Sequence, residues 1–187
     1  MLMQLILASS SPRRQQLLEQ VGIPFKIRKQ EVDESVITLK EPARKVEELA
    51  RLKGNHVTLK DNNEVILSAD TVVAYQHHIF EKPKTKEEAY SMIDSLSDSQ
   101  HDVYTGVMLR SVKKTIVFVE KTAVQFWPIS KKDIHTYIDT DEPYDKAGGY
   151  GIQSIGAKFV KGIVGDYYNV VGLPISRVVR SLQEFYQ

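Results

Sequence analysis

The sequence predicts an α/β fold built on a long mixed β-sheet flanked by helices. Three observations carry that expectation. Strand-like apolar runs alternate with helix-period patterns at the start of the chain, as in βαβ units. In the middle, two long apolar runs, Val103 to Leu109 and Thr115 to Phe126, are joined only by Ser111 to Lys114, the spacing of an antiparallel hairpin. A hairpin set among βαβ-like units argues for a mixed sheet rather than a fully parallel one. The third observation is size: 187 residues, 42% of them hydrophobic, suit one soluble domain or two small lobes sharing a core.

Each element has a local cause. Strands are expected at Leu2 to Ala8, Phe25 to Lys29, Val65 to Ser68 and Thr71 to Tyr75, besides the hairpin pair. Between the first two, Ser11 can cap a helix and Pro12 suits its first position, with Leu17 and Leu18 inside and Gly22 at the end. From Glu41 to Gly54, residues Val46, Leu49, Ala50 and Lys53 fall at i, i+3, i+4 and i+7, which puts a lysine on an apolar face. Thr85 with Glu88 forms a capping box before Ala89, Met92, Ile93 and Leu96, and Ser130 with Asp133 opens a helix carrying Ile134, Tyr137 and Ile138. A last helix follows Pro174, with Ile175, Val178, Val179 and Leu182 on one face. No repeat, low-complexity tract or linker interrupts the chain, so residues 1–187 read as a single domain.

Composition excludes several function classes. With no cysteine there is no disulfide framework, thiolate nucleophile or cysteine metal site, and the cytoplasm is the expected compartment. The apolar start is too short to span a membrane and runs into Arg13 and Arg14 without a cleavage site, so neither export nor membrane association is expected. With 25 Lys+Arg against 24 Asp+Glu the net charge is +1, and the basic pairs are scattered without stacking aromatics, which argues against nucleic acid. The nucleotide-binding loop patterns and the zinc and serine hydrolase motifs are absent. His56, His77, His78, His101 and His135 form no metal spacing and are expected at the surface or in hairpins.

Four places could hold chemistry. Ser9 to Arg14, between a strand and a helix, offers hydroxyls, free N–H groups and two guanidiniums for phosphate oxygens, or else a capped helix with two solvated arginines. Asp70 lies in an otherwise uncharged apolar run, where a carboxylate is costly unless paired, metal-bound or at a strand end facing a cleft. It could act as base toward water, help hold a cation, or cap a turn. Glu34 and Lys82 sit in loops as ordinary charges unless something recruits them, and Lys53 either snorkels or serves a site. Finally, Asp141 to Gln153 contains three glycines within four positions, which suits a tight turn or close approach to a ligand, and Gln153 carries both a donor and an acceptor fit for a nucleobase edge.

Taken in order, Leu5-Ile6-Leu7-Ala8-Ser9-Ser10-Ser11-Pro12-Arg13-Arg14, Ala69-Asp70-Thr71, Lys82-Pro83, Thr105-Gly106-Val107, Glu142-Pro143, Asp145-Lys146-Ala147-Gly148, Tyr150-Gly151-Ile152-Gln153 and Val171-Gly172-Leu173-Pro174 resemble the Maf family of nucleoside triphosphate pyrophosphatases, also called septum formation inhibitor proteins. The resemblance covers nearly the whole chain. It implies a fold like that of the inosine triphosphate pyrophosphatases, a long mixed sheet with helices around it and a central cleft between two lobes.

It also implies roles. Asp70 matches the proton acceptor, Arg13, Thr71 and Gln153 match positions that shape substrate choice, and Ser9, Arg14, Lys53 and Lys82 match the lining for phosphates. Glu34, with Asp70, matches the acidic pair facing a divalent cation, Mg²⁺ or Mn²⁺ with Co²⁺ as a further candidate. The late motif resembles the branch acting on dTTP and UTP, so the expected activity releases pyrophosphate from these and from modified pyrimidine nucleotides. A homodimer is compatible with this reading. The competing expectation is a binding protein that restrains septum formation through a partner and keeps a vestigial nucleotide site; the joint presence of Asp70, Glu34 and four basic residues weighs against it.

Overall fold

The computed structural model describes residues 3–29 and 31–185. Seven strands form one mixed sheet: β1 (Gln4–Leu7), β2 (Phe25–Ile27), β3 (Glu64–Tyr75), β4 (His78–Phe80), β5 (Gln100–Arg110), β6 (Thr115–Phe126) and β7 (Val160–Val164). Their order is β2-β1-β3-β5-β6-β7, with β4 paired to β3. β1 is parallel to β2 and to β3, whereas β3 with β4 and β6 with β7 are antiparallel. The helices are α1 (Pro12–Gln20), α2 (Pro42–His56), α3 (Lys86–Leu96), α4 (Lys131–Ile138), α5 (Tyr167–Val171) and α6 (Ile175–Leu182). The expected mixed sheet flanked by helices is therefore the observed architecture. None of the described helices is long and apolar enough to cross a membrane.

The chain divides into two compact units, one of residues 1–70, 105–120 and 172–187, the other of residues 71–104 and 121–171. In the first, β1 registers Ile6 against Ile66 of β3, and Ile6, Ala8, Val57 and Ile66 pack as a buried cluster. Helix α2 starts at Glu41, whose carboxylate accepts from the N–H groups of Ala43 and Arg44 at 3.0 and 2.7 Å. At its far end the Arg110 guanidinium donates to the carbonyls of Gly54 and Val57 at 3.1 and 2.6 Å, a cation on the carbonyl end of the helix. Arg28 grips the buried Glu64 through both oxygens at 2.7 and 2.6 Å.

In the second unit, Val73, Ile93, Val103, Phe126, Tyr137, Tyr150 and Phe159 form the heart of a core that draws on β3, α3, β5, β6 and α4. Thr85 accepts from the Glu88 N–H at 3.2 Å, but the Glu88 carboxylate takes the Lys84 N–H at 2.7 Å, so the return bond of the expected capping box lands one residue early. Ser130 accepts from the Asp133 N–H as expected, at 3.1 Å.

The structure corrects several local expectations. Val65 to Ser68 and Thr71 to Tyr75 are one twelve-residue strand, β3, running through Asp70 without a break. Ser11 stands at the start of α1 but makes no side-chain capping bond; its own N–H donates to Ser9 Oγ at 3.2 Å. The first strand is β1, Gln4–Leu7, and Leu2 lies outside the described residues. His56, His77, His78 and His135 are exposed, but His101, on the first strand of the hairpin, is buried in the core at 2% exposure.

Candidate active site

In the first unit the site residues meet where β3 faces α2. Side chains two apart on a strand share a face, as do side chains three apart on a helix. Ser68 and Asp70 on β3 accordingly meet Ala50 and Lys53 on α2: Ser68 Oγ donates to the Ala50 carbonyl at 2.7 Å, and Lys53 Nζ donates to Asp70 Oδ1 at 2.5 Å. The same ammonium lies 3.0 Å from Glu34 Oε2, in the 3₁₀ turn Glu34–Val36. Lys53 and Asp70 side chains are 19% and 13% exposed, Glu34 52%, so the pair sits in a recess whose open side carries the second carboxylate. This settles the odd lysine of α2. It does not snorkel to water; it is the counter-ion that makes a carboxylate tolerable inside an apolar strand.

Ser9 and Arg14 lie against this cluster. Arg14 Nε donates to the Gly172 carbonyl at 2.8 Å, and its Nη1 to Ser9 Oγ at 3.3 Å. Desolvation lowers the Arg14 guanidinium from its ordinary value, the carboxylates of Asp70 and Glu34 pull it up, and Arg13 pushes it down, which sets these three charges within electrostatic reach of Arg14. Arg14 is thus a half-buried, backbone-tethered group, not a solvated arginine. The tether also explains Val171-Gly172-Leu173-Pro174, a segment with no side-chain chemistry of its own: it supplies the carbonyl that aims Arg14.

The second unit carries Thr71, Lys82 and Gln153. Thr71 is half-buried and follows Asp70 directly within β3; Lys82 and Gln153 are exposed. The Gly148 N–H donates to the Glu81 carbonyl at 3.1 Å, so the loop bearing Lys82 is tied to the glycine segment that leads to Gln153. Gly148 has φ +71°, and a Cβ there would come within 2.7 Å of Val73, so only glycine fits. The segment does not turn into a strand: it runs as short 3₁₀ turns, Glu142–Asp145, Ala147–Gly149 and Ile155–Phe159, before β7. Two groups that sequence reasoning left without a role stand beside it. Glu142 carries no signal beyond its place in the Asp141 to Gln153 segment, and His101 none beyond being one of five histidines without metal spacing; the buried side chains they meet are Tyr137 on α4, five positions before Glu142, and Tyr150, 49 positions after His101.

The donor set fits a hard divalent cation. Two carboxylate oxygens converge on one point, now taken by an ammonium, and a Mg²⁺-type ion takes one or two carboxylates and leaves its remaining positions to water and substrate phosphate. Among the described residues no group of three or more His, Cys, Asp or Glu could hold a metal by itself. A soft or all-protein metal site is therefore not what these residues build.

Fold and site together define an α/β protein with a mixed sheet and a carboxylate–ammonium centre on its third strand. The same fold is found in a HAM1 protein from Coxiella burnetii, 11% identical with a TM-score of 0.52 over 98% of this chain and 100% of that one. The model of the family described as Maf-like protein matches residues 4–185, and the chain belongs to this family. It is 51% identical over 96% of its length to a dTTP/UTP pyrophosphatase of Halalkalibacterium halodurans, covering 94% of that protein, and 47% identical over 97% to one of Bacillus cereus, covering 95%.

Proposed function

We propose that the chain hydrolyses dTTP and UTP, and modified pyrimidine nucleotides of like shape, to the monophosphate and pyrophosphate. One observation carries the chemistry: a recessed carboxylate, Asp70, held by Lys53 beside a second carboxylate, with Arg14 at hand. The names borne by the near relatives support the choice of thymine and uracil nucleotides.

In this reading Arg13, Arg14, Lys53 and Lys82 offset the charge of a triphosphate, with Ser9 adding a hydroxyl. Asp70 orients a water molecule and takes its proton while the water oxygen bonds to the α-phosphorus. The bond from that phosphorus to the bridging oxygen breaks, and pyrophosphate leaves with the electron pair. Glu34 and Asp70 would hold Mg²⁺ or Mn²⁺, which polarises phosphoryl oxygens when bound. Thr71, Arg13 and Gln153 shape substrate choice, Gln153 through its amide on the base edge. The reading places the protein in the cytoplasm as a single domain, compatible with a homodimer.

The test is a panel of nucleoside triphosphates with Mg²⁺, Mn²⁺ or Co²⁺, with pyrophosphate assayed separately from orthophosphate. Pyrophosphate from dTTP and UTP above the purine nucleotides, abolished by EDTA and restored by Mg²⁺ or Mn²⁺, is the expected result. Orthophosphate as first product, or full activity in chelator, removes the α-phosphorus or the metal from the mechanism.

A further inference from the structure

Gln153 stands at the tip of a turn whose two ends are fixed by groups outside it. At the entry, Tyr150 is buried at 5% exposure. Its hydroxyl lies 2.7 Å from His101 Nε2, and its ring packs edge-on against Phe126 at 4.7 Å and against the His101 ring at 5.4 Å. Two and three residues past Gln153, the Glu142 carboxylate takes the backbone: Oε2 accepts from the Ile155 N–H at 3.0 Å, Oε1 from the Gly156 N–H at 2.9 Å. Oε1 also accepts from the Tyr137 hydroxyl at 3.0 Å.

Glu142 is itself held. Its carbonyl accepts from Lys146 Nζ at 2.8 Å and its N–H donates to Thr140 Oγ1 at 3.3 Å. Burial would raise the Glu142 carboxyl, but the hydrogen bonds from Gly156, Ser154, Ile155 and Tyr137 outweigh it and hold it below the usual range, so the clamp is ionised at neutral pH. The Gln153 side chain is exposed and makes no hydrogen bond within the described residues.

This is the arrangement a discriminating site needs. A side-chain amide on a loose loop pairs with any base that offers one donor or acceptor; an amide held in place pairs only where both match. A half-buried ionised carboxylate on two backbone N–H groups is a costly way to end a turn unless its position matters. Neither Glu142 nor His101 is needed to grip phosphate, and Tyr137, Tyr150 and Phe159 would close the core without either charge or imidazole.

We propose that Glu142 at one end and the His101–Tyr150 pair at the other are positioning residues for base discrimination, fixing the Gln153 turn so that its amide meets a thymine or uracil edge, and not a cytosine edge, in one orientation. The inference rests on Gln153 reading the base.

The test compares Glu142→Gln, Tyr150→Phe, Tyr137→Phe and Gln153→Ala with the parent protein. It uses kcat and KM for dTTP, UTP and CTP, with amide hydrogen exchange at Ile155 and Gly156. Glu142→Gln keeps the volume and loses the charge and one acceptor. It is expected to speed exchange at those two amides and to lower the dTTP-over-CTP ratio of kcat/KM by roughly tenfold to a hundredfold, mainly through KM for dTTP. Tyr150→Phe loosens the other end and is expected to shift the ratio the same way. Tyr137→Phe leaves the carboxylate on the backbone and keeps the ratio near that of the parent.

Should Glu142→Gln fail to fold, Tyr150→Phe decides alone. If the folded variants lower all three nucleotides equally, or leave the ratio unchanged while Gln153→Ala shifts it, the positioning role is overturned and the base reading stands. If Gln153→Ala itself leaves the ratio unchanged, the base reading falls and the inference falls with it.

Discussion

At the residue scale the decisive feature is the economy of charge around Asp70. A carboxylate 13% exposed in a largely apolar strand is stable because Lys53 meets it at 2.5 Å, and Lys53 in turn has Glu34 at 3.0 Å on its open side. The two carboxylates outnumber the one ammonium, so the cluster has room for a further positive charge, and Arg14 stands close enough to feel both. A triphosphate that draws Lys53 and Arg14 toward itself would leave Asp70 and Glu34 facing a metal and a water molecule. Asp70→Asn keeps the shape and a hydrogen bond to Lys53 while losing the proton acceptor. Its turnover on dTTP is expected to fall by about two to four orders of magnitude, the usual worth of a general base, with a circular dichroism spectrum unchanged. Turnover within a few-fold of the parent in the folded variant would remove Asp70 as base.

At the scale of elements, the site depends on α2 lying close to the sheet, and one glycine allows it. A Cβ on Gly106 of β5 would run into the backbone of Val46 on α2, an obstacle that rotation of a side chain does not relieve. Gly106→Ala must therefore push α2 away from the strands that Lys53 faces. The expected loss in urea unfolding is about 1–3 kcal/mol or more, the range for overpacking a close contact, accompanied by a fall in kcat although residue 106 lies outside the proposed chemistry. An alanine variant of parental stability would mean that the helix has slack there. The sequence reading reached α2, its lysine and the hairpin because helix period and turn chemistry are local. It split β3 at Asp70 because a charge in an apolar run reads as an interruption, when its neutralising partner is supplied by another element, seventeen positions away. It passed over β4 and β7 because strands of three and five residues carry too little pattern, and over Glu142 and His101 because their partners come together only in the fold.

For the molecule as a whole, three ionisable groups, Glu64, Glu142 and His101, make stability fall as pH falls below neutral. Glu64, hydrogen-bonded by Arg28, has its carboxyl drawn down to about 2, so the stability it contributes is full above the unfolded value near 4.5 and lost as pH falls toward 2, about 3 kcal/mol across that window. Glu142 acts in the same direction. His101 does so higher on the scale: burial lowers its imidazole to about 3 from the ordinary 6.5, and one ring nitrogen, Nδ1, is buried without a partner. Below pH 6.5 the unfolded chain binds a proton at this histidine that the folded chain refuses, so stability rises with pH between 3 and 6.5; on going from pH 7 to pH 5 the loss is about 2 kcal/mol. Urea unfolding at pH 5, 6 and 7 is expected to show that slope in the parent and a much flatter one in His101→Gln, whose amide can still meet the Tyr150 hydroxyl but does not titrate. The slopes are compared, not the absolute stabilities, because the substitution also changes packing against Phe126 and Tyr150. Equal slopes in the two proteins would mean that His101 takes up a proton inside the fold, and the imidazole would then be charged where the core has no counter-ion for it.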